Sequence, residues 1–164
     1  MTSDAELDCL LAMACSALDA STALIALADG REIRSGEAPD HRLFACEPAF
    51  RDRMLASGQR LVVPDASLDD RFAESARAES RPADSAPAES RIGFYAGTPL
   101  FLDPGISLGA LSVFDARPRP VTQAHRDTFA RIAALVTAIL RQRRDTATVA
   151  ELTHRVAAQA DRLR

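Results

Sequence analysis

Two apolar segments, "RIGFYAGTPLFL" at residues 91–102 and "SLGALSVFD" at residues 107–115, are separated by a turn built on Asp103-Pro104-Gly105. That arrangement predicts an antiparallel pair of core strands, and everything else in the chain has to cover it. Gly97 and Pro99 predict a bulge or an edge within the first of the two. The second stops abruptly on Asp115, Arg117, Pro118 and Arg119. An Asp where a strand leaves the sheet accepts backbone N–H bonds of the next turn or pairs with a following Arg, so these charges read as scaffold.

The remaining elements follow from spacing and punctuation. Ser3 and Glu6 form a capping box, and Leu7, Leu10, Leu11, Ala14 and Leu18 recur at helical spacing, predicting a helix over about residues 4–20. "STALIALA" is apolar on both faces, as a central strand would be, and Asp29-Gly30 predicts a two-residue turn into "REIRS". Pro48 as first helical residue and Gly58 at the end bracket a second helix, "PAFRDRMLAS", whose Phe50 and Met54 share a face with Cys46 just upstream. "RLVVPD" is a short third strand ended by Pro64, and Asp69 or Asp70 caps a short helix that carries Phe72 inward. Residues 77–90 contain no large apolar side chain and predict a mobile loop. From Thr122, an N-cap, a helix runs toward Arg164. Ile132, Leu135, Ile139, Gln142, Thr146, Val149, Thr153, Val156, Ala160 and Leu163 fall on its heptad seam, and "RQRRD" is expected to stay solvated where the helix leaves the core. The order predicts an α+β domain, an antiparallel sheet covered by helices, over residues 1–140, with a helical extension at 141–164 that suits a coiled coil.

Composition removes whole classes of function. At 164 residues the chain suits one packed domain. All 20 basic residues are Arg, so a Walker-type phosphate loop, a pyridoxal Schiff base and a kinase-type strand Lys are excluded. A net charge of −3 gives no reason to expect nucleic acid or an anionic membrane as partner. No apolar run reaches the roughly 20 residues of a spanning helix, and "MTSDAELDCL" lacks the basic start of a signal peptide, which predicts a cytoplasmic protein. Cys9, Cys15 and Cys46 are then expected as thiols. His41, His125 and His154 are scattered, with no metal-binding spacing, and no catalytic set emerges.

Taken together, "VVPDASLDDRFAES", "RIGFYAGTPL" and "LGALSVFDARPRPVT" resemble the GAF domain family of small-molecule sensors, and are most similar to bacterial modules that precede histidine kinase or diguanylate cyclase outputs. The resemblance implies a GAF-like central antiparallel sheet of six or a similar number of strands. It puts the N- and C-terminal helices on one face and a ligand pocket on the other, beneath the second helix. Its pattern falls on Asp65, Arg71 and Phe72, on Phe94, Tyr95, Gly97, Pro99 and Leu100, and on Gly109, Leu111, Asp115, Pro118 and Arg119. Ile92-Gly93-Phe94-Tyr95 departs from it, with Gly93 where the family often carries Arg.

For the pocket this implies Phe94 and Tyr95 as aromatic wall, Arg71 as anion contact beside Phe72, and Asp65 near the mouth. Ser112 and Phe114, with Leu108 and Ala110, line the facing side of the last strand. Cys46, ahead of the second helix, is the thiol for which a redox role is weighed. The expected function is a non-enzymatic sensory module that binds a small molecule and signals through its C-terminal helix, as a parallel homodimer, to a kinase or cyclase output. Two alternatives are a GAF-fold dimerisation module without ligand and a redox enzyme using Cys46. A bilin-binding type would need a Cys beside a His, which is absent.

Overall fold

The computed structural model describes residues 4–35, 41–72 and 92–162. The expected mobile loop at 77–90 and Ser3 of the capping box lie outside the described residues.

Helix α1 (Ala5–Leu18) buries Leu7, Leu10, Leu11, Ala14 and Leu18, the stripe its spacing predicts. It ends on Asp19 in the left-handed region at φ 52°, a conformation that Asp tolerates better than most side chains. Its N-cap Asp4 makes no side-chain cap bond; the carboxylate instead accepts from Arg143 at 2.9 Å. Strands β1 (Thr22–Leu27) and β2 (Glu32–Ser35) form the expected hairpin, but its loop has three residues, not two. Leu27 N–H donates to the Arg31 carbonyl, leaving Ala28, Asp29 and Gly30 outside the pairing, with Gly30 at φ 90°.

Helix α2 spans His41–Ser57, so Pro48 lies inside it and not at its first position. The reason is burial upstream: Leu43 and Phe44 belong to the core, and helix is the conformation that turns both inward with Phe50 and Met54. Pro48 removes one backbone donor from the ladder, which that packing outweighs. Gly58, at φ 67°, closes the helix by donating to the Met54 and Leu55 carbonyls.

Strand β3 (Leu61–Val63) precedes β4 (Phe94–Asp103) and β5 (Ile106–Asp115), the two long arms joined at Pro104-Gly105. Among the described residues the sheet has five strands in the order β2-β1-β5-β4-β3, each pair antiparallel. The register shifts in β4 lie between Leu100 and Asp103, whereas Gly97 and Pro99 pair regularly with Ser112 and Ala110. Pro99 is tolerated because β3 pairs only with Tyr95–Gly97, leaving that side of β4 open beyond Gly97.

Helix α3 (Gln123–Arg162) starts on the predicted cap: His125 N–H donates to Thr122 Oγ1, and Thr122 N–H donates to His125 Nδ1, both at 3.2 Å. Phe129, Ile132, Ala133, Val136 and Leu140 seat it on the sheet beside α1. Beyond Leu140 its residues are exposed, apart from half-buried Arg143. "RQRRD" is exposed as expected apart from Arg143, and it is tethered: Arg141 donates to the carbonyls of Phe101 and Leu102, and Arg143 reaches Asp4.

The sheet therefore separates two cores. One packs α1 and α3 on Ala23, Ile25, Phe94, Ala96, Leu111 and Val113. The other packs α2 on Leu24, Tyr95, Ala110 and Phe114.

Candidate functional site

On the α2 face the inward residues of the helix are Leu43, Phe44, Glu47, Phe50 and Met54. Four are apolar; the fifth is a carboxylate only 1 % exposed. Phe44 meets Phe114 edge-on at 5.6 Å between centroids. Phe50 stacks on Phe72 at 4.1 Å and on Tyr95 at 5.0 Å.

The polar contacts of Glu47 run in a line from surface to core. Arg34 Nη2 donates to Glu32 Oε2 at 2.7 Å. Arg51 Nη1 lies 3.4 Å from Glu32 Oε1 and 3.6 Å from Glu47 Oε2. Ser112 Oγ donates to Glu47 Oε1 at 2.7 Å, which leaves Tyr95 Oη as the donor in its 2.8 Å bond to Ser112 Oγ. Both hydroxyl protons therefore point toward the carboxylate. Glu47 Oε2 has no hydrogen-bond partner among the described residues. Burial pushes the Glu47 carboxyl above the usual range, the Ser112 bond and Arg51 opposing it, and the negative charges of Glu32 and Asp52 push the same way as burial. Burial also raises the Tyr95 phenol, helped by the Glu47 charge.

Gly97 makes room for this line. A Cβ there would stand 2.5 Å from Tyr95 Oη and 2.7 Å from Met54 Sδ, so only glycine lets both side chains lie over β4.

No protein-family model matches the chain, and no curated protein matches it. Solved structures do. The third GAF domain of a Synechocystis protein, in its photoproduct state, superposes with a TM-score of 0.60 at 16% identity, over 90% of this chain and 99% of that one. A domain of a putative two-component sensor histidine kinase from Sinorhizobium meliloti gives 0.55 at 16% identity, over 90% and 98%. A type II free methionine-R-sulfoxide reductase from Thermoplasma acidophilum gives 0.52 at 11% identity, over 84% and 92%. The chain has a GAF fold.

Within that fold the residues expected at the pocket separate. Tyr95, Ser112, Phe114 and Phe72 all lie on the α2 face of the GAF sheet. Phe94 does not. Successive strand residues point to opposite faces, and Phe94 packs with α1 and α3. Leu108 also joins the core under α1 and α3, unlike Ala110. It sits beside Gly109, whose φ of 143° breaks the regular alternation of β5. Asp65 serves its own turn, accepting from Ser67 N–H at 3.0 Å and Ser67 Oγ at 2.6 Å. Arg71 is exposed and held by Asp69, through Nε at 2.9 Å and Nη2 at 2.6 Å, while Asp69 accepts Arg71 N–H at the turn that carries Phe72 inward.

Cys46 lies half-buried in the second turn of α2, not ahead of the helix, so the argument for a thiol activated at a helix N-terminus loses its geometry. No disulfide joins Cys9, Cys15 or Cys46. Among the described residues no group of three His, Cys, Asp or Glu side chains could hold a metal ion.

Glu47, Arg51 and Glu32 are the residues that reading the sequence missed. Starting the helix at Pro48 left Glu47 outside it. With the start moved upstream, Phe44, Glu47, Arg51 and Met54 fall at alternating spacings of three and four, which places the Glu among core residues.

Proposed function

We propose that this chain is a non-enzymatic sensory module that binds a small molecule between α2 and the sheet and passes the change to α3. The observation that carries the reading is Glu47. A carboxylate 1 % exposed, with one oxygen lacking a hydrogen bond, costs stability that an apolar residue of similar size would not. Such groups concentrate where proteins bind something, and this one sits on the face opposite the terminal helices.

The second half of the reading rests on α3. It is 40 residues long, and its part beyond Leu140 has no core to cover. Leu135, Val149, Leu152 and Val156 are 51–68% exposed along it, and Met13 of α1 is 51% exposed. An apolar stripe of that kind suits a second copy in parallel register, so that a shift of α2 on the sheet alters helix pairing in a dimer. A kinase or cyclase output following such a helix fits the histidine kinase origin of one structural neighbour.

One observation favours a second reading, a dimerisation module without ligand: Phe44, Phe50, Phe72, Tyr95 and Phe114 already fill the α2 face with one another. Mass spectrometry of protein released under native conditions separates the two. A retained small molecule supports sensing; a bare chain under gentle release supports the interaction module.

A further inference from the structure

Arg51 has two carboxylate partners, Glu47 at 3.6 Å and Glu32 at 3.4 Å, and it also lines a cavity of about 280 Å³. The cavity lies between α2 and the β1–β2 end of the sheet, bounded by Ala26, Glu32, Arg51, Leu55, Gly109 and Ala110. Its size approaches the lower end of small-molecule sites, roughly 300 Å³. A molecule entering it meets the Arg51 guanidinium, and behind that guanidinium stands the buried Glu47 carboxylate.

The charged groups around Glu47 cancel, so its own carboxylate leaves the cluster one negative charge in excess. From α2 itself face Arg51 and Asp52, from β2 Glu32 paired with Arg34, and from β4 and β5 the neutral hydroxyls of Tyr95 and Ser112. One guanidinium therefore stands between two carboxylates. Since Glu32 is the nearer partner of Arg51, Arg51 can leave Glu47 and keep an ion pair. Among the described residues Glu47 has no replacement: Ser112 already donates to Oε1, and Tyr95 donates to Ser112. None of them donates a hydrogen bond to Oε2, which leaves that oxygen open to a donor on a ligand.

Building on the sensory reading above, we propose that Glu47 is the recognition group of the site, and that its ligand is a small molecule carrying a planar cationic nitrogen group, an amidinium or guanidinium, on an apolar body. The cation takes the place of Arg51 at Glu47 Oε2, a charge-assisted bond to a buried carboxylate, and the apolar body packs on Ala26, Leu55 and Ala110, which line the cavity. Arg51 moves fully onto Glu32. Because Arg51 belongs to α2 and Glu32 to the edge strand, that exchange shifts the helix relative to the sheet.

Three probes of one shape and three charges test the class: benzamidinium, benzamide and benzoate, titrated calorimetrically into the full chain. Benzamidinium is expected to bind at least about tenfold more tightly than benzamide, with benzoate weakest, and Glu47→Gln is expected to erase the advantage of the cation over the neutral amide. The order of the three probes on the wild-type chain decides the sign without any variant. Tightest binding of benzoate or benzamide, or an undiminished cation preference in Glu47→Gln, overturns the assignment. If none of the three binds while native mass spectrometry finds a retained small molecule, the ligand class is wrong and the sensory reading stands. If none binds and none is retained, both fall.

Discussion

Glu47 and Ser112, 65 residues apart, are joined by a 2.7 Å hydrogen bond that ties the middle of α2 to the middle of β5. The bond holds a carboxylate in a core where burial raises its pKa, and this fixes the sign of a pH effect. A raised carboxyl binds its proton more tightly in the folded chain than in the unfolded one. Its contribution to stability is fully present below the unfolded pKa and is lost as pH rises through the folded value. Denaturant melts from pH 4 upward are expected to show that loss in the wild type and not in Glu47→Gln, which keeps the acceptor for Ser112. Equal pH dependence in the two proteins would show that Glu47 is solvated.

Asp115 carries the opposite sign. Burial alone would raise its carboxyl, but N–H donors of Arg117 and Ser21 and the Arg119 guanidinium outweigh burial and hold it below the usual range. Its stabilisation is present at neutral pH and is lost as pH falls through the lowered value. Asp115→Ala removes three acceptor contacts at the place where β5, the start of β1 and the loop to α3 meet. A loss of about 2–3 kcal/mol is expected by urea denaturation, with little effect on the α2 face. A loss below about 0.5 kcal/mol would mean the latch is solvated.

Tyr95 is the single tyrosine in a chain without tryptophan, so its ultraviolet signal belongs to the site alone. Its phenol is raised by burial and by the Glu47 charge, and the folded protein is expected to resist ionisation. Raising the pH past about 10 should give tyrosinate absorbance only together with loss of helical circular dichroism, because the unfolded chain ionises first. Ionisation ahead of unfolding would place the hydroxyl in water.

Gly97 offers a steric test of the same line. Gly97→Ala puts a methyl where Tyr95 Oη and Met54 Sδ now lie, both of them side-chain ends that can be pushed aside. The expected cost is about 1–3 kcal/mol, with the tyrosine signal shifted toward that of an exposed phenol as the bond to Ser112 breaks. An unchanged tyrosine spectrum would count against the close packing of α2 on β4.

The elements with strong periodicity or punctuation were legible in the sequence. α1 shows its five core residues at helical spacing, and the β4–β5 hairpin announces itself through two apolar arms and a Pro-Gly turn. What misled was local chemistry overridden by packing. Pro48 is a good first helical residue, yet Leu43 and Phe44 draw the helix seven residues upstream, and with it Glu47 into the core. Arg71 and Asp65 looked like ligand contacts because each stands in a family motif, but each has a partner within two residues that uses its polar atoms. Phe94 and Tyr95 were read as one wall, although neighbours on a strand face opposite ways. Ser112 was legible, as a hydroxyl amid apolar neighbours on β5; its partner across the core was not.

The heptad seam of α3 also changes character along its length. Ile132 packs on the sheet and Leu135 is half exposed beside it, while Val149 and Val156 lie beyond Leu140, where the helix has no core to cover. Val149→Asp is therefore expected to leave the melting temperature of the domain within a few degrees of wild type and to weaken self-association tenfold or more. A large drop in melting temperature would show that Val149 packs within its own chain.

If α3 carries the signal by pairing two copies, the pairing has to exist before it can be altered. Sedimentation velocity of the full chain at tens of micromolar, beside a version ending at Arg141, tests this most directly. The full chain is expected to sediment as a dimer, and the shortened chain as a monomer or a markedly weaker dimer. A monomeric full chain at that concentration would contradict transmission through paired helices.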